Sequence, residues 1–363
     1  MVEMKKGERR EMNELLKNPL YREDVDRVMT SATIPWQRLR GKSVLITGAT
    51  GLICSAVIDL LLYYNETKDA NIKIYAVGRS LERVEARFGK ETVRFLPYDA
   101  NEAIAFDAGT DYIIHGAGNA SPELYVSQAV ETMLSNILGL KNLLEYAKAH
   151  RVQRVLYISS SEVYGKRASE RAFEENDYGY VDVLNVRSSY PMAKRAAETL
   201  CQAYREEYGI DSVIVRPGHI YGPTASERDK KISSMFAYQA ARGETLVMKS
   251  AGMQKRSYCH CLDCAVAILT VLLQGQNGQA YNISNPDSII TIYEMAQIMA
   301  RSAGVELKRE IPSEQEQRTF NPMENSDLNS EKLEKLGWKG VLTAEEGLKN
   351  TVKILASYGN SSR

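Results

Sequence analysis

The stretch that decides the fold is residues 43–54, which read Ser43-Val44-Leu45-Ile46-Thr47-Gly48-Ala49-Thr50-Gly51-Leu52-Ile53-Cys54. A short apolar and β-branched run ends at Gly48, and an apolar helical stretch follows from Leu52 to Tyr64. The pattern predicts a strand, a tight turn and a helix, in which the helix N-terminus offers unpaired N–H groups to a pyrophosphate. An ordinary turn is the alternative for a glycine pair taken alone. In this context we predict a dinucleotide site formed by Gly48, Thr50, Gly51, Leu52 and Ile53.

Strand-like and helix-like segments alternate along the chain on both sides of this turn. Further strands are predicted at Ile72–Val77, Val93–Leu96, Tyr112–His115, Val155–Ser159 and Ser212–Arg216. Helical stretches between them, such as Pro122–His150, imply crossover connections and therefore a parallel sheet covered on both faces, an α/β fold. We expect an N-terminal extension over residues 1–40, either packed on the body or partly disordered, and a dinucleotide-binding domain over 41–217. A smaller domain over 218–363 is expected to return to the sheet near 255–285.

Composition and charge limit the partners. The 363 residues include 46 Lys and Arg against 46 Asp and Glu, so nucleic acid and anionic membranes are not expected as main partners. The apolar run Val57–Leu62 is too short to span a bilayer, and the polar N-terminus does not resemble a signal peptide. Five unevenly spaced cysteines suit a reducing compartment, so we expect a cytoplasmic protein.

Three further positions bear on how a cofactor would be bound. Cys54 stands where the third glycine of the dinucleotide fingerprint usually lies, which predicts a displaced helix or a compensating small neighbour. Arg79 follows the second strand, where an acid favours NAD and an arginine accommodates the extra phosphate of NADP. Arg79 therefore favours NADP, with a surface arginine as the alternative. Asp99, after the third strand, is a candidate acceptor for the adenine amino group.

Tyr190 and Lys194 form a Y-x-x-x-K pair on one face of a helix predicted over Met192–Tyr204. A neighbouring ammonium and an oxidised nicotinamide both favour the phenolate, so we expect a lowered tyrosine pKa. Such a tyrosine can take a proton from a sugar hydroxyl as hydride leaves the same carbon. A hydroxyl from Ser159-Ser160-Ser161, at the end of the fifth strand, would complete the group.

These motifs together resemble one family. TGATGLIC, HGAGNASP, SSSEVYG, SYPMAK, RPGHIYGP, KRSYCHCLD and YNIS, between Lys42 and Trp338, are similar to the extended short-chain dehydrogenase/reductases, the sugar-nucleotide epimerases, dehydratases and decarboxylases. The resemblance implies a Rossmann-type doubly wound parallel sheet with a smaller C-terminal substrate-binding domain, a bound NAD, a nucleotide-sugar substrate and a homodimer. It implies catalytic roles for Ser160, Glu162, Tyr190 and Lys194. It adds Ala100 and Ala117 to the cofactor site, and places Ser121, Tyr125, Ser161, His219 and Arg256 at the substrate.

Within the family, Ser161-Glu162, the loop Ala120-Ser121-Pro122-x-x-Tyr125 and Arg256 most resemble UDP-glucuronate decarboxylases. The implied reaction oxidises C4, releases CO₂ from the resulting β-keto acid and returns the hydride. Arg79 is unexpected for an enzyme that recycles NAD, and His219 replaces the family asparagine near the substrate diphosphate. These departures leave a 4-epimerase, a 4,6-dehydratase or an NADPH-consuming 4-ketoreductase as alternatives. A non-catalytic dinucleotide-binding protein is a third hypothesis, which Ser160, Tyr190 and Lys194 together disfavour.

The segment Cys259-His260-Cys261-x-x-Cys264 has residue types that bind zinc. We instead expect buried cysteines in a strand, with Cys259 and Cys261 on one face and His260 pointing away, and no metal site.

Overall fold

The structure is a computed structural model that describes residues 13–31, 33–119, 121–167, 171–312 and 325–359. Its strands, in chain order, are β1 Ser43–Thr47, β2 Lys73–Gly78, β3 Arg94–Pro97, β4 Tyr112–His115, β5 Arg154–Ile158, β6 Ser212–Pro217, β7 His219–Tyr221, β8 Leu246–Met248, β9 Lys255–His260, β10 Ala280–Ile283, β11 Ile289–Thr291 and β12 Leu307–Arg309. The helices are α1 Glu14–Lys17, α2 Pro19–Ser31, α3 Leu52–Lys68, α4 Leu81–Phe88, α5 Leu124–Ser127, α6 Ala129–His150, α7 Ser189–Tyr208, α8 Ile232–Ala241, α9 Cys261–Gln274, α10 Ile292–Ala303, α11 Glu331–Glu334 and α12 Ala344–Gly359.

Seven parallel strands form the main sheet, in the order β10-β6-β5-β4-β1-β2-β3. Successive side chains of β1 point to opposite faces: Val44 and Ile46 pack in the cluster that includes α3 and α9, and Leu45 in the cluster that includes α6 and α7. Every residue of β1 is buried, as expected for a strand covered on both faces. The predicted doubly wound α/β fold is confirmed, and the six predicted strands lie within one residue of those observed.

Two predicted helices differ from the structure. The stretch predicted as one helix over Pro122–His150 is broken at Gln128, whose extended φ of −135° separates α5 from α6. The helix predicted to begin at Met192 begins at Ser189 instead. Pro191 does not prevent this, because a proline is tolerated in the first turn of a helix, where its missing N–H is not needed.

A smaller layer is built from the chain that follows β6. It consists of a three-stranded sheet β11-β9-β7, the pair β12-β8, and the helices α8, α10 and α12, whose apolar residues form a separate core. Of the segment 255–285, β9 belongs to this layer, whereas β10 pairs with β6 in the main sheet.

The N-terminal arm, residues 13–31, packs on both parts of the molecule. The Tyr21 hydroxyl donates to Asp59 of α3 over 2.7 Å, in the main domain. Asn350 of α12 donates to Asp24 over 3.0 Å, and Arg27 pairs with Glu346 at the start of the same helix. Residues 13–31 thus contact both parts of the molecule through buried or partly buried polar groups; residues 1–12 lie outside the described part of the chain.

Candidate active site

The turn between β1 and α3 requires glycine at its first position. Gly48 has φ +69°, and a Cβ there would lie 2.8 Å from the carbonyl carbon of Gly116. Gly51 is the N-cap of α3 and provides no side-chain cap, so the first N–H groups of the helix are left for a ligand. The residues present therefore fit a dinucleotide pyrophosphate, which needs close backbone approach and free donors.

Cys54 fits in this turn because Gly116, the residue after β4, has no side chain. A Cβ on Gly116 would lie 2.4 Å from the Cys54 Sγ and 3.2 Å from Ile158 Cδ1. Gly116 is therefore the compensating small neighbour, and that prediction is confirmed. Burial raises the pKa of the Cys54 thiol to about 12, so it remains protonated and packs as a small apolar group.

A cavity of about 840 Å³ extends from the glycine turn to the smaller layer. Its lining includes nearly all residues predicted from the sequence: Gly48, Thr50, Gly51, Leu52, Ile53, Arg79, Asp99, Ala100, Ala117, Tyr125, Ser160, Ser161, Glu162, Tyr190, Lys194, His219 and Arg256. Ser121 is the exception: it does not line the cavity, although Asn119 and Pro122 close to it in the chain do.

Tyr190 and Lys194 are both buried beside the end of β5. The Lys194 Nζ donates to the Ile158 carbonyl over 2.9 Å and lies 5.7 Å from the centre of the Tyr190 ring. Burial lowers the pKa of Lys194 to about 7. Burial also raises the pKa of Tyr190 to about 12. In the chain without nicotinamide, the pKa shift is therefore opposite to the expected lowering, because burial and the Glu162 carboxylate outweigh the hydrogen bonds with Ser160 and Tyr125.

Ser160 lies next to this pair and begins the 3₁₀ turn Ser161–Tyr164. Its hydroxyl accepts from the Glu162 N–H over 3.2 Å, which fixes the serine at the N-cap of the turn. A hydrogen bond with Ser160 also acts to lower the pKa of Tyr190, against the larger effect of burial. The structure therefore brings together the three residues that the sequence predicted as one group.

Glu162 forms a two-bond ion pair with Arg187, which lies just before α7. The two N–O distances are 2.5 and 3.0 Å, and the side chains are 15% and 9% exposed. Burial alone would lower the pKa of Arg187, but the hydrogen bonds and charge of Glu162 raise it, so the guanidinium remains charged. The sequence pointed to Glu162 but not to its pairing with Arg187, because 25 residues of separation leave no local signal for such a contact.

The far end of the cavity carries polar groups from β7 and β9. The His219 Nδ1 and the Tyr258 hydroxyl are buried and have no hydrogen-bond partner within the described part of the chain. Burial lowers the pKa of His219 to about 3, so the imidazole is neutral. Arg256 is 3% exposed and burial lowers its pKa. Lys230, Lys231 and Lys249 also line the cavity; Lys231 pairs with Asp229 over 3.3 Å and Lys249 with Glu310 over 2.9 Å.

A family model described as the NAD dependent epimerase/dehydratase family matches residues 44–284. The chain belongs to this family. A UDP-glucuronic acid decarboxylase of Arabidopsis thaliana is 32% identical over 308 residues, which cover 84% of this chain and 86% of that protein. The dTDP-D-glucose 4,6-dehydratase of Homo sapiens is 28% identical over 335 residues, covering 88% and 92%.

Solved structures of the epimerase/dehydratase family have the same fold. A dTDP-glucose 4,6-dehydratase from Streptomyces venezuelae, solved with NAD bound, has a TM-score of 0.76 at 23% identity and covers 88% of this chain and 98% of that chain. An epimerase from Methanothermobacter thermautotrophicus has a TM-score of 0.77 at 19% identity, covering 92% and 96%. The resemblance to extended short-chain dehydrogenases is thus confirmed.

Several lining residues were not predicted from the sequence. They are Arg83, Asn119, Gln128, Glu131, Ser135, Arg187, Lys230, Lys231, Lys249 and Tyr258, among others. Of these, only Arg83 could have been predicted from the sequence, since it lies about one helical turn after Arg79, near the N-cap Ser80 of α4. The others reach the cavity through tertiary packing.

The cysteine segment is structural in the described residues. Cys259, Cys261 and Cys264 are free and fully buried, as expected. The expected sharing of one strand face is wrong, because β9 ends at His260 and Cys261 begins α9. His260 ends the strand as the N-cap of α9, where its Nδ1 accepts from the Leu262 N–H over 3.3 Å.

No helix within the described ranges is both long enough and apolar enough to cross a bilayer.

Proposed function

We propose that this chain is a nucleotide-sugar decarboxylase that acts on UDP-glucuronate through transient oxidation at C4. The observation that carries the proposal is the Glu162–Arg187 pair beside Tyr190, with Arg256 lining the same cavity. Two guanidinium groups against one carboxylate leave a net positive charge where a sugar carboxylate would be held. Similarity to UDP-glucuronic acid decarboxylases over most of the chain supports the choice.

NAD, when bound, accepts a hydride from the substrate and returns it. Gly48, Gly51 and the N-terminus of α3 would hold its pyrophosphate. Asp99 and Ala100 would contact its adenosine end, and Tyr190 and Lys194 the opposite end. Ser159, whose buried hydroxyl has no hydrogen-bond partner within the described residues, lines the cavity near these groups and is available to a ligand.

Tyr190 would take the proton of the sugar 4-hydroxyl and later return it. Lys194 and Ser160 would assist, the first through its positive charge and the second through its hydroxyl. With a ketone at C4, the C5 carboxylate belongs to a β-keto acid and would leave as CO₂, its bonding electron pair passing into the ketone as an enolate. C5 would then take a proton from water, and the hydride and the Tyr190 proton would return to C4 and its oxygen. Arg256 and Arg187 would orient the carboxylate, and Glu162 would hold Arg187 in place.

The direct test is to incubate the purified protein, loaded with NAD, with UDP-glucuronate. We expect CO₂ release and a UDP-pentose, and a rate at least about 100-fold lower from the matched variant Tyr190→Phe. Binding of UDP-glucuronate without CO₂ release would overturn the assignment. Turnover of GDP-, CDP- or dTDP-sugars in the same assay would redirect it within the family.

A 4-ketoreductase that consumes NADPH is the second candidate function. Arg79 and Arg83 both line the adenosine end of the cavity, next to the N-cap Ser80 of α4, and two guanidinium groups suit a 2′-phosphate. Mass spectrometry of the cofactor that co-purifies separates the two candidates. NADP favours the reductase, whereas NAD supports the decarboxylase.

We also propose that two copies associate through α6. Val130, Met133 and Leu134 are 65%, 38% and 45% exposed and lie on one face of the helix. An apolar helical face of this kind suits packing against the same face of a second copy. Sedimentation should report a dimer for the wild type and a monomer for Leu134→Glu; a wild-type monomer would overturn the proposal.

A further inference from the structure

A second buried tyrosine stacks directly on Tyr190. The rings of Tyr125 and Tyr190 are 4.2 Å apart between centroids, and their planes differ by only 5°. Tyr125 is 3% exposed. On Tyr125, the Arg187 guanidinium carbon lies 5.2 Å from the ring centroid.

The backbone on both sides of this stack is fixed as well. The Ser189 hydroxyl, one residue before Tyr190, donates to the Tyr125 carbonyl over 2.8 Å. Arg187 is held by Glu162, so Tyr125 contacts side chains that cannot easily move. Near-parallel rings at this centroid distance form a favourable aromatic pair, and these contacts hold Tyr125 in place against Tyr190.

We infer that Tyr125 is a positioning residue for Tyr190: its ring fixes the plane of Tyr190, and its hydroxyl donates a hydrogen bond that stabilises the Tyr190 phenolate. The inference rests on the acid–base role of Tyr190 in the proposed function. It assigns Tyr125 to the acid–base group, in addition to the substrate contact expected from the family resemblance.

The charges around Tyr190 explain why such a donor is needed. The titratable or polar groups that face it are Glu162, Arg187, Ser160, Tyr125, Lys194 and Tyr157. Burial and then the Glu162 carboxylate raise the Tyr190 pKa, whereas hydrogen bonds with Ser160 and Tyr125 lower it. Burial and the charge of Tyr190 raise the pKa of Tyr125 well above its ordinary value, so Tyr125 keeps its proton and remains a donor.

The test compares Tyr125→Phe, which keeps the stack and removes only the hydroxyl, with wild type. The ionisation of Tyr190 is followed by tyrosinate absorbance in the NAD-loaded protein, as the difference between each protein and its Tyr190→Phe version. This difference isolates one of the 21 tyrosines and requires no substrate. We expect Tyr125→Phe to move the Tyr190 midpoint alkaline by about one pH unit, a tenfold change in the phenolate fraction.

Activity gives the second measurement. The acid limb of kcat/KM should move in the same direction in Tyr125→Phe, while Tyr146→Phe, a buried tyrosine outside the cavity lining, should move neither. An unchanged midpoint in Tyr125→Phe would overturn the inference. If UDP-glucuronate is not turned over but the midpoint moves, the inference holds and the proposed substrate fails.

Discussion

Replacing Gly116 by alanine tests how the cofactor turn tolerates Cys54. The added methyl group would lie 2.4 Å from the Cys54 Sγ, 3.2 Å from Ile158 Cδ1 and 3.4 Å from the Thr47 carbonyl oxygen. Gly116 does not have a left-handed φ, so the substitution costs space and not backbone conformation. Overpacking a buried site in this way costs about 1–3 kcal/mol of the free energy of unfolding.

Removing the sulfur should recover part of that loss. Cys54→Ala alone costs about 1 kcal/mol, because a small buried group is lost. In the double variant the new methyl enters the space that the Sγ vacates, so the two costs should overlap by about 1–2 kcal/mol. The added methyl group should also displace the glycine turn that holds the cofactor, since Gly116 lies against Gly48 in that turn. We therefore expect Gly116→Ala to weaken NAD binding and the double variant to regain most of it.

The assay is urea unfolding of the four proteins, followed by fluorescence of the two tryptophans, with NAD affinity measured by calorimetry. The quantity of interest is the interaction free energy of the double-mutant cycle. Costs that add within about 0.5 kcal/mol would show that the sulfur does not determine the penalty, and would refute the explanation of Cys54 as a residue tolerated because of Gly116.

Three further predictions follow from buried groups. Tyr190→Phe should reduce kcat by about 10²–10⁴-fold with NAD affinity nearly unchanged, because it removes only the proton-transferring hydroxyl; loss of NAD binding would contradict this. His219 has a pKa lowered to about 3 from 6.5, so as the pH falls below 6.5 the unfolded chain takes up this proton first and the folded state loses stability. In His219→Asn the slope of the unfolding free energy against pH should therefore be smaller by up to about 1.4 kcal/mol per pH unit between pH 3 and pH 6.5. Urea unfolding at several pH values measures this slope. An unchanged slope would show that the imidazole does not titrate in this way. The fully buried Asp59 carboxylate pairs with Arg87 over 2.5 Å, and the Arg87 side chain is 17% exposed. Asp59→Ala should cost about 3–5 kcal/mol in the same assay, because it removes the partner of this largely buried guanidinium; a cost below about 1 kcal/mol would mean that water solvates Arg87 instead.

The parts that the sequence predicted correctly depend on local pattern. β1 and β4 were placed to the residue because buried parallel strands are continuous apolar runs bounded by glycine or polar residues. The glycine turn and the Tyr190–Lys194 spacing are likewise local. The break of the long helix at Gln128 has no such marker, so it was missed.

The parts that were missed depend on contacts between distant segments. The sequence predicted a small neighbour for Cys54 but not that it is Gly116, because this contact joins a helix to the end of another strand. The Glu162–Arg187 pair likewise joins a turn to the residues before α7. The Tyr190 pKa was expected in the wrong direction for a similar reason, since burial is a property of the whole fold and the spacing of two residues says nothing about it.

The N-terminal arm has a thermodynamic consequence. Because residues 13–31 bond to α3 on one side and to α12 on the other, separating the two parts of the molecule would break the contacts of the arm with at least one of them. Unfolding of either part would therefore remove contacts that stabilise the other. Heating should therefore produce a single cooperative transition, and removing residues 13–31 should resolve it into two.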